Sequence, residues 1–147
     1  MREPDALHEW AQGCLLNGRE AFLLIDHGSR RSEANALLDE VTALVESRLG
    51  PGAIVEPAHM EIAEPTIAQG FARCVARGAT MIVVHPFMLA PGRHVSEDLP
   101  RLVAEVARDH GGVSFAMAPP LGSHRGIIDA VVERCRAALS ETEDSSG

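Results

Sequence analysis

Four near-continuous apolar runs divide the chain, and after each one apolar residues recur at intervals of three and four. The runs are AFLLID (21–26), AIVEPAHMEIA (53–63, interrupted by Pro57), TMIVVHPFML (80–89) and VSFAMAPPLG (113–122). Runs of this length without alternation predict parallel strands covered on both faces. The helical patterns occupy 33–49 (Leu37, Leu38, Val41, Leu44, Val45, Leu49), 66–77 (Ile67, Phe71, Cys74, Val75), 97–110 (Leu99, Leu102, Val103, Val106) and 124–139 (Ile127, Ile128, Val131, Val132, Cys135, Leu139). Gly50, Gly78 and Gly111-Gly112 stand where helices stop. Pro65 suits a first turn and Ser123 an N-cap. Strand and helix alternating four times predict a flavodoxin-like α/β three-layer sandwich. Its four-stranded parallel sheet is expected to have the order 2-1-3-4. One domain is expected over 21–139. An N-terminal extension (1–20) with a short helix near 4–16 precedes it, and SETEDSSG (140–147) follows as a frayed, flexible tail.

Composition narrows the class. With 147 residues, 46% of them hydrophobic, the chain has enough apolar material for one globular core. A net charge of −8 argues against a nucleic-acid partner, which requires a basic surface. No apolar run is long enough to cross a bilayer and no charged-then-apolar leader opens the chain, so a cytoplasmic protein without a membrane partner is expected. Cys14, Cys74 and Cys135 lack CxxC spacing and read as reduced core or helix residues.

The polar residues that break the pattern fall at one edge. Ligands of open parallel sheets bind beyond the carboxyl ends of the strands. His27 follows the first strand, His59 and Glu61 lie near the end of the second, His94 follows the third and His124 the fourth. Residues two apart on a strand share a face, so His59 and Glu61 are expected to point together. His85, inside the most apolar strand, reads instead as a satisfied core histidine. His8 and His110 read as surface groups, His124 as a first-turn helix residue, and Glu64 as a helix-start residue before Pro65. Arg30, Arg31, Arg93 and Arg125 stand in the same loops, placed to bind carboxylate or phosphate. Imidazole and carboxylate without thiolate form a ligand set for a first-row divalent metal. Together with the arginines, they point to a metal meeting an anionic organic ligand.

IDHGSR (25–30), EPAHMEIAEPT (56–66), VVHPFMLAPGRHVSEDLP (83–100) and APPLGSH (118–124) resemble, in order, the motifs of the small class II tetrapyrrole chelatases, the sirohydrochlorin chelatase family. The resemblance runs over 21–139 and is nearest to the sirohydrochlorin ferrochelatase branch, since the cobalt-inserting branch typically has an apolar residue where His59 stands. It implies insertion of Fe²⁺ into sirohydrochlorin, with the divalent metal (Fe²⁺, or Co²⁺ or Ni²⁺) as substrate and no permanently bound cofactor. It also implies that His27 and His94 bind metal or accept pyrrole protons, that Glu61 assists them, and that His59 adds a metal ligand. Ser29, Arg30 and Arg93 would hold the acidic side chains of the substrate. With no tyrosine and few other aromatics, Met60, Met88 and Leu89 are the expected packing surface for the macrocycle. The longer class II enzymes carry two copies of the domain facing one another, so a chain with one copy is expected to form a homodimer.

Two rival readings remain at this stage. Histidine phosphatases also end an apolar strand in His-Gly, but with an arginine where this chain has Asp26, whose carboxylate would repel phosphate. A metal-binding or metal-delivery protein would account for the histidines but not for the arginines. Within the chelatase reading, cobalt or nickel insertion is the alternative to iron.

Overall fold

The structure, a computed structural model, describes residues 19–145. The expected helix near 4–16, with His8 and Cys14, lies outside the described residues. The elements run β1 (Glu20–Asp26), α1 (Ser32–Leu49), β2 (Ile54–His59), α2 (Ile67–Ala76), β3 (Met81–Pro86), α3 (Arg93–Ala107), β4 (Ser114–Met117) and α4 (Arg125–Asp144). The four strands are parallel in the order β2-β1-β3-β4, as the sequence pattern predicts.

The strands are shorter than their apolar runs. β2 ends at His59 rather than 63, β3 at Pro86 rather than 89, and β4 at Met117 rather than 122. In each case the apolar residues beyond the strand belong to the loop at the carboxyl edge. α3 begins at Arg93 instead of 97, on Gly92 as N-cap, and ends at Ala107 instead of 110. α4 is capped by His124, whose ring nitrogen accepts from the Gly126 N–H at 3.0 Å, so Ser123 is not the cap. The same helix continues through Asp144, so most of the expected tail is helical.

One face of the sheet carries the main core. Leu23, Ile25, Ile82 and Val84 pack there against Phe71 and Cys74 of α2 and Leu99 and Val103 of α3. Gly70 lets α2 lie close: a Cβ there would come within 2.9 Å of Ala58, Leu23 and the Pro57 carbonyl. Thr66 and Gln69 form a reciprocal capping box at the start of α2. His110 is half-buried rather than a surface group, its ring centroid 5.2 Å from that of Phe71. The opposite face holds a smaller cluster, Leu24 and Val55 against Leu38 of α1, with Phe22, Val41, Val45 and Phe87 around it. α1 turns Leu37 and Leu44 outward, so its apolar stripe is wider than the surface it covers. Every residue of α4 from Ile128 onward is exposed, including the apolar stripe of Ile128, Val131, Val132, Cys135 and Leu139.

Candidate active site

The strand order places a topological switch between β1 and β3, where successive connections leave the sheet in opposite directions. Ligands of such sheets bind in the crevice that opens there. His27 follows β1 and the loop carrying Met88 through Gly92 follows β3, so these residues flank the switch.

The turn after β1 is built on Asp26. Register pairs Asp26 with His59 across the two strands. Asp26 Oδ1 lies 2.5 Å from His59 Nδ1 and also accepts from the Gly28 N–H at 3.0 Å. A carboxylate only accepts, so the ring carries its proton on Nδ1. His59 itself is 1% exposed. The chain then folds back: the Met60 N–H donates to the Asp26 carbonyl at 2.9 Å and the Glu61 N–H to the His27 carbonyl at 3.2 Å. These bonds tie the two loops together. Gly28, at φ +87°, sits so close that a Cβ would stand 1.9 Å from the Glu61 carbonyl oxygen. Ile62, a β-branched residue at φ +74°, marks strain in the same loop, which is where functional sites often store it.

His59 and Glu61 therefore do not share an open face. The strand ends between them, leaving His59 inside and Glu61 exposed beside the His27 loop. His27 is exposed. His94 and Arg93 stand on the first turn of α3, not in a free loop. His94 is 97% exposed with Nδ1 3.8 Å from Asp98, and the Arg93 Nε–H donates to Glu97 at 3.1 Å. Arg30 and Leu89 are exposed and Met88 is half-buried. Met88 and Leu89 are held by backbone bonds from Leu121 (3.0 Å) and Gly122 (2.8 Å), which join the loops after β3 and β4. Among the described residues, no group of three or more His, Cys, Asp or Glu side chains is placed to hold a metal ion.

Sequence reasoning missed Asn35. Its Oδ1 accepts from the Ser29 N–H at 2.9 Å and its amide donates to the Ser29 carbonyl at 2.7 Å, clamping the loop that follows His27. The available signal was an amide one turn into a helix after a Gly-Ser turn. Ser29 Oγ accepts from the Arg31 N–H at 3.0 Å, so this hydroxyl also shapes the turn. His85 is satisfied, as expected, but lines the sheet surface rather than the core: it is half-buried, its Nδ1–H donates to the Pro119 carbonyl at 3.1 Å, and burial lowers its pKa. Cys74 is buried and its thiol is pushed up to about 12 by desolvation, which leaves it inert near neutral pH.

The CbiX family model matches residues 21–138. The chloroplastic sirohydrochlorin ferrochelatase of Arabidopsis thaliana is 42% identical over 136 residues, covering 90% of this chain and 60% of the plant protein. The sirohydrochlorin cobaltochelatase of Methanocaldococcus jannaschii is 40% identical, covering 78% of this chain and 96% of the archaeal one. The chain thus spans little more than half of the plant relative but nearly all of the archaeal one. Among solved structures, the sirohydrochlorin chelatase SirB of Bacillus subtilis subspecies spizizenii in complex with cobalt superposes with a TM-score of 0.68 at 32% identity. That match covers 81% of this chain and 50% of SirB. The order of the strands, the histidines and arginines at their carboxyl edge and the match over 21–138 lead to one conclusion: the chain belongs to the CbiX family of class II chelatases.

Proposed function

We propose that this protein inserts Fe²⁺ into sirohydrochlorin, as a cytoplasmic homodimer whose two copies face one another across the substrate. The observation that carries this reading is the edge itself. His27, Glu61 and His94 border the β1/β3 switch with Arg30 and Arg93 beside them, in a chain 42% identical to a sirohydrochlorin ferrochelatase. The reaction removes two pyrrole protons and exchanges the metal's water ligands for ring nitrogens. His27 and His94 are exposed imidazoles, suited to bind an incoming metal and to accept protons near pH 7. Glu61, tied to the His27 loop through its backbone, supplies an anionic group that strips water from the cation or relays protons. Arg30 and Arg93 attract the acidic side chains of the macrocycle to a chain of charge −8, while Ser29 keeps the turn between His27 and Arg30 in shape. Met88 and Leu89 offer apolar contact to the ring.

Cobalt insertion is the second reading, favoured by the 40% identity to an archaeal cobaltochelatase of matching length. Anaerobic insertion into sirohydrochlorin with Fe²⁺, Co²⁺ and Ni²⁺ in parallel separates the two. Iron turnover is expected to exceed cobalt turnover when each free metal is held at the same fraction of saturation. That normalisation matters because ligand affinity alone favours Co²⁺ and Ni²⁺ over Fe²⁺. No insertion of any of the three metals would leave metal binding or delivery as the function.

A further inference from the structure

Among the described residues, Ile62 is the one residue other than glycine at positive φ. The Ala63 N–H donates to the Glu61 carbonyl at 2.8 Å, which closes a tight turn with Ile62 at its centre. A bond from residue i to i+2 around a central φ of +74° is the rare, strained form of the γ-turn. Glycine or asparagine takes up this backbone readily, whereas a side chain branched at Cβ meets the following carbonyl. Burial does not offset the strain. Met60 of the same loop packs against the core, but Ile62 is 64% exposed. Strain that folding does not use points to function.

The place of Ile62 in the fold says which function. The His59 N–H donates to the Pro65 carbonyl at 2.8 Å, closing the base of a short loop with Ile62 at its tip. The bonds from Met60 and Glu61 hold that loop against the turn carrying His27. Most large apolar side chains that stand exposed lie on α1 and α4; the exceptions are Ile62 and Leu89, the latter 58% exposed in the loop after β3. In the order β2-β1-β3, the loops bearing Ile62 and Leu89 stand on either side of the loop bearing His27 and Arg30. An apolar group on each flank, with imidazole and guanidinium between, suits a flat ring that is apolar on its face and anionic at its rim. We infer that Ile62 is a substrate contact that packs on the face of the tetrapyrrole beside Glu61. That contact is what retains a β-branched residue in a turn suited to glycine. The inference rests on the chelatase reading and deepens it by naming a residue that fixes the ring's position at the edge.

The test sets stability against affinity, which should move in opposite directions. Ile62→Asn in the full chain relieves the strain, so its urea midpoint should rise by roughly 0.3–1 M. Its affinity for metal-free sirohydrochlorin, read by fluorescence titration, should fall about tenfold or more, the loss expected when one large aliphatic contact is removed. Ile62→Met restores an apolar side chain without the branch and should bind within about threefold of the wild type. A residue kept for folding alone would do the reverse: Ile62→Asn would unfold at lower urea and bind as before. Either a lower midpoint or an unchanged affinity in Ile62→Asn overturns the inference. So does a weaker dimer by light scattering at unchanged affinity, which would set Ile62 against a second copy instead of the ring. A wild type that does not bind sirohydrochlorin would overturn the chelatase reading and the inference with it. A wild type that binds, beside an Ile62→Asn variant that binds equally well, overturns the inference alone.

Discussion

The chemistry of the edge depends on how Asp26 is held. Its carboxylate joins His59, buried in the sheet, to the Gly28 N–H, in the turn that displays His27. We propose that His59, expected from the sequence to be a metal ligand beside Glu61, acts instead through Asp26 as a positioning residue, since its Nδ1 bonds that carboxylate and its ring is buried. His59→Leu should lower stability by about 1.5–3 kcal/mol, the usual worth of a hydrogen bond to a charged group. It should reduce kcat while leaving the ratio of Fe²⁺ to Co²⁺ insertion unchanged. A shifted ratio, measured with both metals in parallel, would return His59 to the metal. Gly28→Ala meets the Glu61 carbonyl at 1.9 Å on a backbone of positive φ. The φ strain alone costs about 1–3 kcal/mol, and the loops must part to relieve the clash. Urea unfolding and turnover should therefore fall together. His27→Ala and His94→Ala should each cut kcat by roughly 10²–10⁴, the range for a lost general base. The double variant should lose far less than the product if the two act as a unit. Near-normal turnover in either single variant would leave Glu61 as the principal group. The positions of His27 and Glu61 just beyond the ends of β1 and β2 were legible because strand periodicity breaks at each, whereas His94 stands on the first turn of α3. The Asp26–His59 pairing was not legible, since register between β1 and β2 is a tertiary fact.

At the scale of elements, periodicity located every strand and helix of the described residues but misplaced ends. The residues after Pro86 are as apolar as those before it, because Met88 packs on the core from a loop; composition cannot separate the two. α3 starts early because Arg93 and His94, read as loop chemistry, occupy a helix's exposed first turn. α4 was identified correctly as amphipathic, yet a stripe in sequence does not say which sheet it covers. β3 carries a testable consequence of where its side chains point. His85 lines the sheet surface, and desolvation lowers its pKa against a smaller opposing effect of the Pro119 carbonyl. The unfolded ring takes up a proton near the ordinary 6.5, while the native ring resists until lower pH. Within that window the unfolded state binds more protons, so stability falls as pH drops below 6.5 and is level above it. Urea midpoints on either side of pH 6.5 should fall for the wild type and fall less for His85→Asn. Equal declines would show that His85 titrates normally.

At the scale of the whole molecule, the match spans 60% of the plant ferrochelatase and 50% of SirB. The chain's histidines border one side of a crevice, and among the described residues they form no chelating group of three. In the proposed homodimer a second copy would supply the other side of that crevice, twofold pairing being the commonest way for identical chains to close. Activity should therefore track dimer concentration. On serial dilution through the dissociation constant, turnover per chain should fall in parallel with the dimer fraction measured by light scattering. It should recover on reconcentration, which separates dissociation from denaturation. A monomer across the micromolar range with undiminished turnover would overturn the paired site and require the whole reaction to be housed on a single edge.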